Sequence, residues 1–387
     1  MNSPVSSSHT PPAAPPRLVP PRRPLKGYFF DDYAVGQHFY HATPRTVTAG
    51  DVALYIALTG ARQPLHCAET VAQQLGYPHC PLDDLLVFHI AFGKTVPDIS
   101  YNAVANLGYA DCRFLLPVYA GDTLRCETQI MGLKENSSGK TGVVYVRSHA
   151  YNQRDENVLT WARWVMIHKR ELVNPEAQKV ITVAAAIMPL VPDFPAMVSP
   201  DEWAVPAFIQ PSKLTPQMTG SNRFWDDYQR LETIKHPTGI TLDESDHTLA
   251  TKLYQNTARV HVDLHHMEQS RFGRRLIYGG HIISICRALS YDGLENVLSI
   301  AAINSGQHSN PVFAGDTIYA LSSVAAKWPI SDDLGALQLT LTGLKNLDLN
   351  SAGTGTGTDA VDVVENNPQA VVLSLNYTVL MPRRPCL

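Results

Sequence analysis

Two segments of the chain are apolar on nearly every side, Leu82 to about Val96 and Ile277 to about Tyr291. A helix without a polar stripe has to be enclosed on its whole circumference, so each predicts a buried central helix. Segments of strand length follow each one. In the first half they read near Ala103–Phe114, Thr123–Leu133, Thr141–Asn152 and Val158–Lys169; in the second near Ser299–His308, Thr317–Trp328, Ala336–Leu344 and Ala370–Met381. Upstream of each central helix a shorter one is expected, opened by Thr48 with Asp51 and by Thr241 with Glu244, both in capping-box spacing.

The two series are copies. Phe30-Asp31-Asp32-Tyr33 returns as Trp225-Asp226-Asp227-Tyr228 and His66 as His261, each at an offset of 195 residues, and Pro117 to Thr123 returns as Pro311 to Thr317 at 194. A period this long is a whole domain rather than a solenoid repeat, so two similar folds paired as in a homodimer are expected. An antiparallel sheet wrapped around one long apolar helix is an α+β arrangement, the hot-dog fold. Two on one chain make a double hot dog, with two antiparallel sheets each around its own helix.

Within 387 residues this places a first domain at 27–170 and a second at 223–387. Between them, 171–222 is proline-rich and reads as a tethering linker over the surface. Residues 1–26 are rich in proline and serine, which forbids the amphipathic helix of a transit peptide and predicts a disordered tail. The alternation of glycine and threonine from Ser351 to Thr358 lacks a Walker lysine and precedes no convincing helix, so it reads as a flexible insertion rather than a phosphate loop.

Composition narrows the partners. A net charge of −4 carries no basic signature, which argues against nucleic acid. No apolar run is long enough to cross a membrane, the longest being Leu85 to Phe92 with His89 inside it. Six cysteines without CxxC spacing argue against a zinc site and a disulfide framework, so a reducing cytoplasm is the default compartment.

The segment Leu58-Thr59-Gly60-Ala61-Arg62-Gln63-Pro64-Leu65-His66 resembles the Thr-Gly-Asp-x-Asn-Pro-Leu-His motif of the MaoC-like, (R)-specific enoyl-CoA hydratase family. Asn106 to Phe114 and the Pro-Val-Tyr-Ala-Gly-Asp-Thr block extend the likeness. Longer runs, Ala42 to Val47, Asp83 to His89, Phe92 to Ser100 and Arg271 to His281, resemble the mesaconyl-CoA hydratase branch. The resemblance implies reversible hydration of mesaconyl-CoA (2-methylfumaryl-CoA) to β-methylmalyl-CoA, with coenzyme A as part of the substrate and no metal or other cofactor. It also allows a homodimer of double hot dogs.

In that family an Asp and a His five residues apart share the proton work, and donors at the start of the central helix hold the enolate. Here the Asp position is Ala61 in the first half and Asn256 in the second. The second half keeps Gly279-Gly280 at its helix start where the first has Asp83-Asp84, so the chemistry is expected there, with His261 as acid/base, Asn256 as its partner and the two glycines as oxyanion donors. Asp83, Asp84 or Asp263 could replace the missing carboxylate. Arg259, or Arg62 with His66 in the first half, could take the substrate's free carboxylate, and Arg271, Arg274, Arg275 and Lys94 the coenzyme's phosphates. Three other readings stay open: a hydratase for another branched or dicarboxylic enoyl-CoA, a hot-dog thioesterase, and a non-catalytic acyl-CoA-binding protein.

Overall fold

The computed structural model describes residues 24–170, 189–349 and 357–384. Most of the expected tail, the first part of the linker and most of the Gly-Thr run lie outside the described residues. The first half contains β1 (His38–Thr46), α1 (Ala49–Thr59), α2 (Pro64–Cys67), α3 (Glu69–Gln74), α4 (Asp84–Ile99), β2 (Ala103–Phe114), β3 (Thr123–Glu135), β4 (Thr141–Tyr151) and β5 (Asn157–His168). After a short helix α5 (Pro216–Thr219), the second half runs β6 (Thr233–Lys235), β7 (Ile240–Thr241), α6 (Glu244–Leu253), α7 (Arg259–Val262), α8 (Leu264–Glu268), α9 (Gly279–Leu289), β8 (Ser299–His308), β9 (Thr317–Pro329), β10 (Leu334–Lys345), α10 (Gly357–Glu365) and β11 (Val371–Pro382).

The expected strands are all present, but the two sheets are joined. One eleven-stranded sheet runs β1-β3-β4-β5-β2-β8-β11-β10-β9-β6, with β7 also on β9. The halves meet where β2 pairs antiparallel with β8, Tyr109 opposite Gly306 and Arg113 opposite Ala302. Each half supplies the same strand order out from this seam. Sharing the seam removes two open sheet edges that separate domains would expose. Inside the curve, α4 and α9 are buried along nearly their whole length, as their apolar circumference requires.

The repeated blocks are mostly turn hardware. Asp32 accepts from the Phe29 N–H (2.9 Å) and Asp227 from the Phe224 N–H (2.9 Å). In the Ala-Gly-Asp-Thr turns, Asp122 accepts from the Tyr119 N–H (2.8 Å) and Asp316 from the Phe313 N–H (2.9 Å). Gly121 and Gly315 sit at φ 102 and 95, a backbone region that a β-carbon disfavours.

Three local expectations need correction. Thr48 and Asp51 do form a capping box, but α6 starts at Glu244, two residues later than a Thr241 cap would have it, with Asp243 at the cap and no side-chain bond, so Thr241 and Glu244 are not a box. The Gly-Thr run does precede a helix, α10. Asp263 is not on an extended stretch beside His261; it caps α8, accepting from the His266 N–H (3.0 Å). The described part of the linker is built into the molecule, burying Val198, Trp203 and Leu214 against Leu65, Leu75 and Leu380. No helix among the described residues is long and apolar enough to cross a membrane.

Candidate active site

The two repeated histidines are held in the same way. His66 Nδ1 lies 3.2 Å from the Pro81 carbonyl and His261 Nδ1 2.9 Å from the Leu276 carbonyl, positions again 195 apart. A carbonyl only accepts, so each Nδ1 donates to it and each Nε2 is the nitrogen left to face the site. What Nε2 meets differs between the halves.

In the first half it meets a carboxylate. His66 Nε2 is 3.8 Å from Asp84 Oδ2, which also accepts from the Ile300 N–H (2.6 Å). Burial pushes the Asp84 carboxyl up to about 6, with the nearby His66 pulling it the other way. Both line a small cavity of about 50 Å³ whose other walls include Leu65, Val87, Phe114 and Val118. Asp83 turns elsewhere: its Oδ1 caps the Leu85 N–H (2.9 Å) and accepts from the Tyr55 hydroxyl (3.1 Å). Neither acid has a hydrogen bond or ion pair to His261, so the expected composite carboxylate is not formed.

The second half has no carboxylate at the matching place, because Asp84 is replaced by Gly279. Helix α9 opens with Tyr278 at the cap and no side-chain cap bond. The Tyr278 N–H donates to His247 Nε2 (3.1 Å), while the N–H groups of Gly279 and Gly280 have no acceptor among the described residues. These unspent donors at the positive end of a buried helix form a place for developing negative charge. The half-buried His261 ring packs against Tyr278, centroids 5.5 Å apart. Burial of its nitrogens pushes its pKa down to about 4, against the Leu276 hydrogen bond, so at neutral pH it is an uncharged base.

Asn256 supports His261 through the backbone. Its Oδ1 accepts from the Ala258 N–H (3.1 Å), and the Ala258 carbonyl accepts from the His261 N–H (2.9 Å). An amide has no titratable proton near neutral pH, so Asn256 positions the histidine and does not share its proton transfer. It also lines an open cavity of about 630 Å³ with Gly93, Lys94, Thr251, Lys252 and Arg275. Lys94 is buried, with Nζ donating to the Thr43 carbonyl (2.7 Å), and Arg275 is held by Glu244 (Nε to Oε1 2.9 Å) and Thr248 (2.9 Å). These three cations give the cavity a positive wall suited to phosphates.

The remaining cations divide. Arg259 lies over the Tyr101 ring at 5.0 Å with no carboxylate paired to it among the described residues. Arg62 is committed to Asp292 (2.7 Å) and the Tyr291 ring, which takes it away from a substrate carboxylate. Arg274 donates to the Ala314 carbonyl and stacks on Phe313, and Arg271 lies over Phe272; neither lines the cavity.

Sequence reasoning missed a buried polar chain between the central helices. Asp83, Tyr55, Ser284 and His89 follow one another at 3.1, 3.0 and 2.8 Å, and His89 Nδ1 lies 3.4 Å from the Tyr278 hydroxyl. It joins the capping carboxylate of α4 to the cap residue of α9. His89 and Ser284 hold matching places in the two halves at the 195 offset, and their contact is visible only in the folded chain.

The profile of the mesaconyl-CoA hydratase family matches residues 22–344. The beta-methylmalyl-CoA dehydratase of Chloroflexus aurantiacus is 51% identical over 360 residues, 92% of this chain and 98% of that protein. The mesaconyl-CoA hydratase of Cereibacter sphaeroides is 45% identical over 358 residues, with the same coverage of 92% and 98%. Among solved structures, a MaoC domain protein dehydratase from Chloroflexus aurantiacus superposes with TM-score 0.84 at 50% identity, covering 93% of this chain and 98% of that one. A double hot-dog protein of Mycobacterium tuberculosis, 23% identical, shares the fold at TM-score 0.72 over 93% of this chain and 100% of its own.

Proposed function

The chain belongs to the mesaconyl-CoA hydratase family, and from that premise we propose that it interconverts mesaconyl-CoA and β-methylmalyl-CoA by adding and removing water, with the reaction in the second half. It is a hydro-lyase of the enoyl-CoA hydratase type. The observation that carries the placement is the contrast at the two helix starts: Asp84 occupies the first, and two unspent N–H groups occupy the second.

The thioester oxygen sits at Gly279 and Gly280, where charge builds as water attacks the β-carbon. His261 Nε2 takes a proton from that water and returns it to the α-carbon as the enolate collapses. In the first half the same charge would form beside the Asp84 carboxylate, which opposes it. Coenzyme A lies along the wall of Lys94, Lys252 and Arg275, and Arg259 offers its guanidinium to the substrate's free carboxylate. The proton steps need no metal or redox cofactor.

Incubating the purified chain with mesaconyl-CoA and following the thioester by mass spectrometry tests the reading. Gain of one water supports it. Release of free coenzyme A would instead indicate a thioesterase, and an unchanged thioester that nevertheless binds would indicate a carrier.

A further inference from the structure

The family's missing carboxylate leaves His261 without a second proton-handling group, and none of the acids near the helix starts replaces it. We propose that His308, at the end of β8, is the second catalytic residue, accepting a hydrogen bond from the attacking water while His261 accepts the other. The inference rests on the hydratase reading above.

His308 points at the start of α9. A β-carbon added at Gly279 would lie 2.6 Å from His308 Nε2 and 2.7 Å from its Cε1, so the tip of the imidazole faces the place where the first half carries the Asp84 side chain. Its position has a counterpart at the 194 offset, Phe114, which lines the first-half cavity with His66 and Asp84. The same strand end therefore faces the equivalent site in both halves, and only the second presents a base there.

The ring is also oriented for the task. The Val372 backbone anchors the His308 ring, whose Nε2 is the nitrogen turned toward the start of α9. Among the described residues its Nε2 has one weak hydrogen-bonding neighbour, the Tyr109 hydroxyl at 3.4 Å, and the ring is half-buried rather than sealed. Burial pushes both imidazoles down to about 4, and for His308 the nearby His261 adds to it, so both are neutral bases at physiological pH. A water between two lone pairs is held by both its hydrogens, with its oxygen lone pair free to attack.

The step balances without another reactant. The water oxygen bonds to the β-carbon as the C=C pair moves onto the thioester oxygen, and one O–H bond breaks with its proton passing to His261 Nε2. That proton then moves to the α-carbon while the enolate pair reforms the carbonyl. His308 keeps the second hydrogen in a hydrogen bond that becomes one from the new hydroxyl, and both histidines end neutral.

The test is His308→Phe, which installs the first half's own residue, measured beside wild type for kcat, KM and melting temperature with mesaconyl-CoA. The expected result is a kcat lower by about 10²- to 10⁴-fold with KM and melting temperature little changed. A kcat within about fivefold of wild type overturns the inference, as does a loss that comes with matching destabilisation and is restored by stabilising conditions. His308→Leu, which keeps an apolar side chain of moderate bulk but cannot accept a hydrogen bond, carries the same test should the phenylalanine variant fail to fold. A wild type that adds no water to mesaconyl-CoA overturns the functional reading and this inference with it; an active wild type with an active variant overturns the inference alone.

Discussion

Placing a carboxylate at Gly279, as the first half does at Asp84, should silence the second half, and the structure sets the size of the effect. The proper comparison is Gly279→Asp against Gly279→Asn. Both variants bring a β-carbon to 2.6 Å from His308 Nε2, so the steric disturbance is common to them and only the charge differs. A carboxylate about 4 Å from the developing enolate, at an effective dielectric near 20, raises the barrier by about 4 kcal/mol. That converts to a kcat roughly a thousandfold lower for the Asp variant than for the Asn variant. Burial in the matching place raises Asp84 to about 6, so the comparison belongs at pH 8, where such a carboxyl is ionised, and the gap should narrow as the buffer is brought below 6. The assay is loss of the conjugated enoyl thioester absorbance on adding mesaconyl-CoA. Equal rates for the two variants at pH 8 would refute the claim that the enolate forms at this helix start.

Three further outcomes follow from the same geometry. Asp84 has its carboxyl pKa raised from 3.8 to about 6 in the fold, so the folded state binds its proton more tightly; the associated stability is present below pH 3.8 and lost as pH rises through 6. Asp84→Asn should therefore stabilise the protein at pH 8 by at most about 3 kcal/mol, less what the 18% exposure of the side chain screens, with no gain below pH 3.8; urea melts at both pH values check this. Because burial lowers His261 to about 4, hydration kcat/KM should stay flat through the neutral range and fall only as pH nears 4, whereas a midpoint near 6.5 would show an unperturbed imidazole. Lys252→Ala removes a cation from the cavity wall at a cost of about 1 kcal/mol, so KM for mesaconyl-CoA should rise roughly fivefold with kcat unchanged, and a kcat loss instead would place Lys252 in the chemistry.

The strands and both central helices could be read from the sequence because their signals are local: apolar runs and turn residues such as Gly121 and Asp122 act within a few positions. The duplication was legible for the same reason, since its longest blocks are turn and cap hardware that folds the same way wherever it occurs. The union of the two sheets was not, because Tyr109 finds Gly306 only when both halves are folded. The site divides along that line. His261 and Gly279 lie in recognisable segments, whereas His308 ends a strand far along the chain and is marked in the sequence only by standing where the first half has Phe114. Lys94, expected among the cations for the coenzyme's phosphates, is buried within α4 with its Nζ bonded to the Thr43 carbonyl of β1, a partner that only the folded chain brings to it.

The central claim is that one copy reacts and the other shapes the pocket. It is tested most directly by comparing His261→Ala with His66→Ala in the hydration of mesaconyl-CoA, each checked for an intact fold. The account predicts a kcat about 10²- to 10⁴-fold lower for His261→Ala and a kcat close to wild type for His66→Ala. Loss of turnover in the His66 variant with turnover kept in the His261 variant would contradict it.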